Sequence, residues 1–204
     1  MISILDYDMA NLRSVQKALE AVGHPAKIIR QPEEIDHADQ LILPGVGAFG
    51  DCMRILRERH LDVAVKRFAA TGKPLMGICV GMQVLFDTGY EKGTHPGLGL
   101  IPGEVVRFTV DESHGLKIPH MGWNTLDFRT PSPLFAGLAP ASHVYFVHSY
   151  HCRPIHPATS AATTNYGGDF TASVIQDNIV ATQFHPEKSQ GVGLSILKNF
   201  AAHP

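Results

Sequence analysis

Gly77-Ile78-Cys79-Val80-Gly81 is the stretch of this chain whose residue types and spacing best suit covalent chemistry. It follows an apolar run at 74–78 and leads into helical spacing at 80–86. A sharp strand-to-helix turn strains the residue at its apex and crowds the positions two before and two after it. Glycine at 77 and 81 removes the clashing side chains. The Cys79 thiol then stands over the carboxyl edge of a sheet, at a helix N-terminus whose positive end favours thiolate. The plain alternative is a buried structural cysteine with incidental glycines, since free cysteine is among the most buried residue types. The strand-to-helix setting favours the nucleophile.

A thiol nucleophile needs a base, and the base needs a group to orient it. Gln183-Phe184-His185-Pro186-Glu187 follows an apolar strand, and extended spacing puts His185 and Glu187 on one side. Glu187 could then hold the imidazole tautomer. The chain has 12 histidines, so His185 carries weight only in that setting; otherwise it reads as an exposed loop histidine beside a solvated glutamate. Acyl transfer also calls for backbone N–H donors at the developing oxyanion. Leu43-Pro44-Gly45-Val46-Gly47 follows the third expected strand, beside the elbow in a parallel sheet, and its glycines can turn N–H groups into a site. The N–H of Val80, next after the nucleophile, is the second expected donor. A simple Pro-Gly turn is the ordinary reading of the same residues.

The elements that must position these groups follow from hydrophobic spacing. Short apolar runs at 2–6, 26–30, 40–43 and 74–78 read as buried strands, the third ended by Pro44-Gly45. Helical spacing fills 11–22, with Gly23 as its stop, and then 49–70 and 80–86. Strand-helix alternation at this spacing means βαβ units and a parallel sheet covered on both faces. The second half changes character. Strands are expected at 105–108, 144–148, 161–165, 172–175 and 179–184, with loops at 89–99 and 154–160 and a closing helix at 193–201. The expected fold is α/β: an open, mostly parallel sheet with helices on both faces and an antiparallel β extension.

With 204 residues and no linker, repeat or low-complexity tract, residues 1–204 read as a single domain with one sizeable core. A net charge of −2 without long charged runs offers no footprint for nucleic acid or an anionic membrane. The chain begins Met1-Ile2-Ser3-Ile4-Leu5-Asp6 without a basic leader, and the charge-free stretch at 74–86 is too short to span a bilayer. Cys52, Cys79 and Cys152 are an odd, widely spaced set, which points to a reducing cytoplasm rather than a disulfide framework.

Pro44-Gly45-Val46-Gly47-Ala48-Phe49, Gly77-Ile78-Cys79-Val80-Gly81-Met82-Gln83 and Phe184-His185-Pro186-Glu187-Lys188-Ser189 resemble, in order and spacing, the class I (triad) glutamine amidotransferases. Three further segments narrow the resemblance to the glutaminase subunits of imidazole glycerol phosphate synthase. They are Asp6-Tyr7-Asp8-Met9-Ala10-Asn11-Leu12-Arg13-Ser14-Val15, Pro119-His120-Met121-Gly122-Trp123-Asn124 and Tyr145-Phe146-Val147-His148-Ser149-Tyr150. The match runs from residue 5 to residue 200. Val80 stands where that family more often has leucine, and Ala10 where it usually has glycine; the first change keeps the backbone N–H.

The resemblance implies a Cys79-His185-Glu187 triad that hydrolyses glutamine, with oxyanion N–H groups from Val46 or Gly47 and from Val80. It implies that Gln83 and Glu91, with backbone at Ser149 and Tyr150, hold the glutamine. It further implies that Asn11, Met121, Trp123 and Lys188 face a partner, a separate cyclase subunit built as a (β/α)8 barrel, in a heterodimer of histidine biosynthesis. No cofactor and no metal are implied. Trp123, between Gly122 and Asn124, is expected in a loop.

Competing readings are weaker. His148, His151 and Cys152 lie close together, with His143 and His156 nearby, but no Cys-x-x-Cys or His-Glu-x-x-His spacing occurs. These histidines read as aromatic strand positions or loop surface. A sensor-cysteine protein on a related α/β fold would not require His185-Pro186-Glu187. Amidotransferase subunits serving pyridoxal phosphate or anthranilate synthesis are disfavoured by Pro119-His120-Met121-Gly122-Trp123-Asn124.

Overall fold

The computed structural model describes residues 1–110 and 115–202. In chain order its elements are β1 (Ile2–Leu5), α1 (Leu12–Ala21), β2 (Ala26–Ile29), α2 (Pro32–Asp36), β3 (Gln40–Gly45), α3 (Phe49–Glu58), α4 (Leu61–Ala69), β4 (Leu75–Cys79) and α5 (Val80–Gln83). There follow β5 (Phe86–Gly89), β6 (His95–Pro96), β7 (Ile101–Arg107), β8 (His120–Thr125), β9 (Asp127–Phe128), β10 (His143–His148), β11 (Tyr150–Pro154), β12 (Ser160–Asn165), β13 (Asp169–Gln176), β14 (Ile179–Thr182) and α6 (Gln190–Ala202).

Strands β1, β3 and β4 are buried at every residue. Such uniform burial belongs to a parallel sheet covered on both faces, and the continuous apolar runs supply the side chains for it. β2, β1, β3, β4 and β14 lie side by side, all parallel. From β14 the same sheet continues through β13, β11, β7, β5 and β6, with antiparallel pairing at β14–β13, β13–β11 and β11–β7. Helices α1 and α6 pack on each other, while α2, α3 and α4 form a second group. β8 and β10 pair antiparallel as a separate two-stranded ribbon. The α/β architecture with its antiparallel extension is the one expected from hydrophobic spacing.

Several boundaries differ for identifiable reasons. The helix expected at 49–70 breaks after Glu58, where His60 takes a left-handed φ of 56°. The helix expected at 80–86 stops at Gln83, because the Val84 and Leu85 carbonyls accept from Leu98 and Leu100 instead. Pro44-Gly45 does not end the third strand; Pro44 pairs with Ile78 and Gly45 with Cys79. The loop expected at 89–99 contains β6, and that at 154–160 a 3-10 turn, Pro157–Thr159. The helix α2 was not expected; Gln31 and Glu34 form a capping box around Pro32. Trp123 lies in a strand and not in a loop, opposite Tyr145 across the ribbon. No helix among the described residues is long and apolar enough to cross a membrane.

Candidate active site

Cys79 is the last residue of β4 and the N-cap of α5, with φ 56° and ψ −113°. That left-handed backbone is costly for any residue with a Cβ, and persists only where the surroundings impose it. The surroundings are tight. A Cβ on Gly81 would strike the Leu43 carbonyl oxygen. One on Gly77 would lie 2.8 Å from the Gly81 carbonyl oxygen, and one on Gly45 2.7 Å from the Gly81 nitrogen. The glycines of the elbow are thus required by the approach of α5 to β3. Because α5 has only 4 residues, the helix dipole expected at the thiol is nearly absent, leaving the local N–H groups of the turn.

His185 lies just beyond β14, which pairs with β4 from Ile179–Leu75 to Thr182–Ile78. This pairing brings the two sequence segments to the same edge of the sheet. Glu187, in the 3-10 turn Pro186–Lys188, accepts from His185 Nδ1 at 2.7 Å, and both side chains are almost fully buried. The backbone around them is clamped. His185 N–H donates to Tyr145 O (3.0 Å), the Ser189 hydroxyl donates to His185 O (2.6 Å), and Tyr145 N–H donates to that hydroxyl (2.9 Å). His185 Nε2 makes no bond of hydrogen-bond geometry. Burial opposes charge on this ring, but Cys79 and Glu187 outweigh it and push the imidazole up to about 10.

A cleft of about 330 Å³ collects Val46, Gly47, Cys79, Val80, Gln83, Glu91, Ser149, Tyr150, His185 and Lys188. Every expected oxyanion and glutamine-holding residue therefore borders one opening. Gln83 Nε2 donates to the Tyr150 carbonyl and to Gln183 Oε1, both at 3.1 Å. Glu91 accepts the Phe49 N–H that begins α3 (2.9 Å). Gly47 has φ 94°, which glycine tolerates. The Val46 N–H is already committed, donating to Met9 O at 2.7 Å. Asn11, Met121 and Trp123 do not line the cleft. Asn11 is the exposed N-cap of α1 and makes no side-chain cap bond. Met121 and Trp123 are 62% and 47% exposed.

The class-I glutamine amidotransferase model matches residues 3–203. The chain belongs to that family. Its relatives agree along their whole length. It is 50% identical to the imidazole glycerol phosphate synthase subunit HisH of Rhodopirellula baltica, over 100% of this chain and 98% of the relative. It is 52% identical to the protein of the same description from Syntrophotalea carbinolica, over 98% of each. PurLQS from Thermotoga maritima superimposes with a TM-score of 0.75 at 18% identity, covering 98% of this chain and 96% of that one, a likeness of fold.

Within this amidotransferase the structure adds residues that spacing alone did not single out. Gln183 is fully buried, with its Nε2 3.9 Å from Cys79 Sγ. The signal for it was a polar residue two before the histidine in an otherwise apolar strand end. His148, read from sequence as an aromatic strand position or loop surface, is a buried strand residue that borders the cleft. Cys52, Cys79 and Cys152 are all free and buried, and among the described residues no group of His, Cys, Asp and Glu could hold a metal ion.

Proposed function

We propose that this chain is the glutaminase half of an imidazole glycerol phosphate synthase, hydrolysing glutamine to glutamate and ammonia for a cyclase subunit. Cys79 attacks the side-chain amide carbon and the C–N bond breaks. His185, steered by Glu187, carries the thiol proton to the leaving ammonia. Water then cleaves the glutamyl thioester. Val80 N–H and an N–H of the Val46-Gly47 turn stabilise the oxyanion. Gln83, Glu91 and the backbone at Ser149 and Tyr150 hold the glutamine. The cleft that joins Cys79, His185 and the glycine turn is the observation that carries this reading.

Ammonia released into neutral water becomes ammonium, which is no nucleophile, so it must be handed over under cover. The cyclase, a (β/α)8 barrel, uses it on a phosphoribosyl-formimino-carboxamide ribonucleotide. The products are imidazole glycerol phosphate and aminoimidazole carboxamide ribonucleotide, in L-histidine biosynthesis in the cytoplasm. The cyclase docks on the carboxyl edge of the sheet, against Asn11, Met121, Trp123 and Lys188. Exposed Met121 and Trp123 on the ribbon beside the cleft support that placement. The test is reconstitution with the cyclase. Glutamine-dependent imidazole glycerol phosphate should form with the wild-type chain, and only the ammonia-dependent reaction should remain with Cys79→Ala. Equal glutamine-dependent turnover by both would overturn the reading.

A further inference from the structure

Under the exposed face of the β8–β10 ribbon, two buried imidazoles stand opposite each other. His120 and His148 are cross-strand partners, 3% and 6% exposed. Phe146 stacks on His120 at 4.8 Å, while Phe108 and Phe170 lie 5.1 and 5.2 Å from His148. Three polar contacts run in line through this apolar setting. Asn124 Nδ2 is 3.3 Å from His120 Nε2, His120 Nδ1 is 3.0 Å from His148 Nε2, and His148 Nδ1 is 2.8 Å from the Tyr150 carbonyl oxygen.

The direction of donation follows from the ends of the row. A carbonyl only accepts, so His148 Nδ1 carries a hydrogen. Neutral His148 then accepts at Nε2 from His120 Nδ1–H, and His120 accepts at Nε2 from the Asn124 amide. Asn124 is oriented for this, because its Nδ2 also donates to Asn165 O (2.9 Å) and its Oδ1 accepts from Thr125 N–H (2.8 Å). One orientation satisfies every group from Asn124 to Tyr150. Three further imidazoles, of His120, His151 and His185, stand about His148, and a charge on any of them opposes a positive charge there. Burial, the larger effect, pushes His148 down to about 3 and His120 to about 4. At neutral pH both rings are uncharged.

The Tyr150 carbonyl at the end of this row also receives Gln83 Nε2. Ser149 and Tyr150 border the cleft where the chain leaves β10 for β11. We propose that His120 and His148 are positioning residues, a neutral one-way hydrogen-bond relay that fixes the Ser149–Tyr150 backbone at the glutamine site and ties it to β8. The opposite face of β8 carries Met121 and Trp123, so the relay mechanically joins the outer surface of the ribbon to the substrate pocket. This role rests on the glutaminase reading of the cleft.

His120→Phe keeps the ring packing and removes the donor. In the complex with the cyclase it should raise the glutamine KM about tenfold, equivalent to about 1.4 kcal/mol, with kcat largely retained. Alkylation of Cys79 by the glutamine analogue 6-diazo-5-oxo-norleucine should slow to match, while alkylation by iodoacetamide, which needs no glutamine pocket, should not. His120→Asn restores a donor at the Nδ1 position and should recover most of the KM. A wild-type KM in His120→Phe, or no recovery in His120→Asn, overturns the relay alone. A wild-type complex inert to both glutamine and its analogue overturns the glutaminase reading and the relay with it. Imidazole 15N shifts of the wild-type protein give a check independent of variant folding. Both rings should be neutral Nδ1–H tautomers at pH 7, and an Nε2–H tautomer at either overturns the proposal.

Discussion

On the proposed function, Cys79, His185 and Glu187 divide the chemistry unequally, and substitution should reveal the division. Cys79→Ala should abolish glutamine hydrolysis and leave the melting temperature unchanged, since removal of a triad nucleophile costs about 10⁴- to 10⁶-fold in rate. His185→Ala should be almost as damaging. Glu187→Ala should cost less, because the Ser189 hydroxyl and the His185–Tyr145 backbone bond still hold the histidine segment in place. Steady-state glutamate release in the presence of the cyclase checks the ranking, and an orienter more damaging to lose than the base would refute it. The charge on His185 has its own signature. Its folded pKa, about 10, lies above the unfolded value near 6.5, so the stability it contributes is complete below pH 6.5 and is lost as pH rises toward 10. Denaturant titrations across that window should show a steeper decline for the wild type than for His185→Gln.

Backbone geometry at the element scale decides whether Cys79, His185 and Glu187 share one site. A Cβ at Gly81 meets a fixed carbonyl of β3, not a side chain that can swing away. Gly81→Ala should therefore destabilise the chain by about 3 kcal/mol and depress glutaminase activity in whatever remains folded. Gly23→Ala, in open space, is the control; its φ of 85° alone costs it, so the drop in urea midpoint should be the smaller of the two. The elbow was legible in sequence because its glycines answer a local demand. So were β1, β3 and β4, whose unbroken apolar runs reflect burial on both faces. What escaped the sequence depends on distant partners. β8 reads His-Met-Gly-Trp-Asn-Thr, without clear alternation, and becomes a strand only because β10 pairs with it. The break at His60 carries no glycine or proline to announce it. Glu91 and Val46 were found through family resemblance, and their hydrogen bonds to Phe49 and Met9 could not be read from spacing.

At the scale of the whole molecule, the glycine turn links the cleft beside Cys79 to the surface. The Val46 N–H donates to the carbonyl of half-buried Met9, two residues before exposed Asn11. While that bond persists, the N–H is withdrawn from the oxyanion position. The isolated chain should accordingly be a poor glutaminase, and the cyclase with its nucleotide should activate it by binding the reoriented turn more tightly. Full activity from the chain alone, unaltered by the partner, would contradict this. Trp123 supplies the complementary test. At 47% exposure, with its ring 6.0 Å from Tyr145, it offers a rigid anchor of the kind enriched at interfaces. Trp123→Ala should weaken the complex and its activation while the free chain keeps nearly its original melting temperature. A core tryptophan would instead cost about 3–5 kcal/mol on truncation.

The placement of β14 against β4 also orders events during synthesis. Cys79 leaves the ribosome early, yet β14, the strand that leads into His185, is encoded about a hundred residues later and must slot in between β4 and β13, strands already made. Such long-range parallel pairing is slow to form and closes late. On the proposed function, a polypeptide terminated before β14 should carry a thiol without its general base, and should release no ammonia from glutamine.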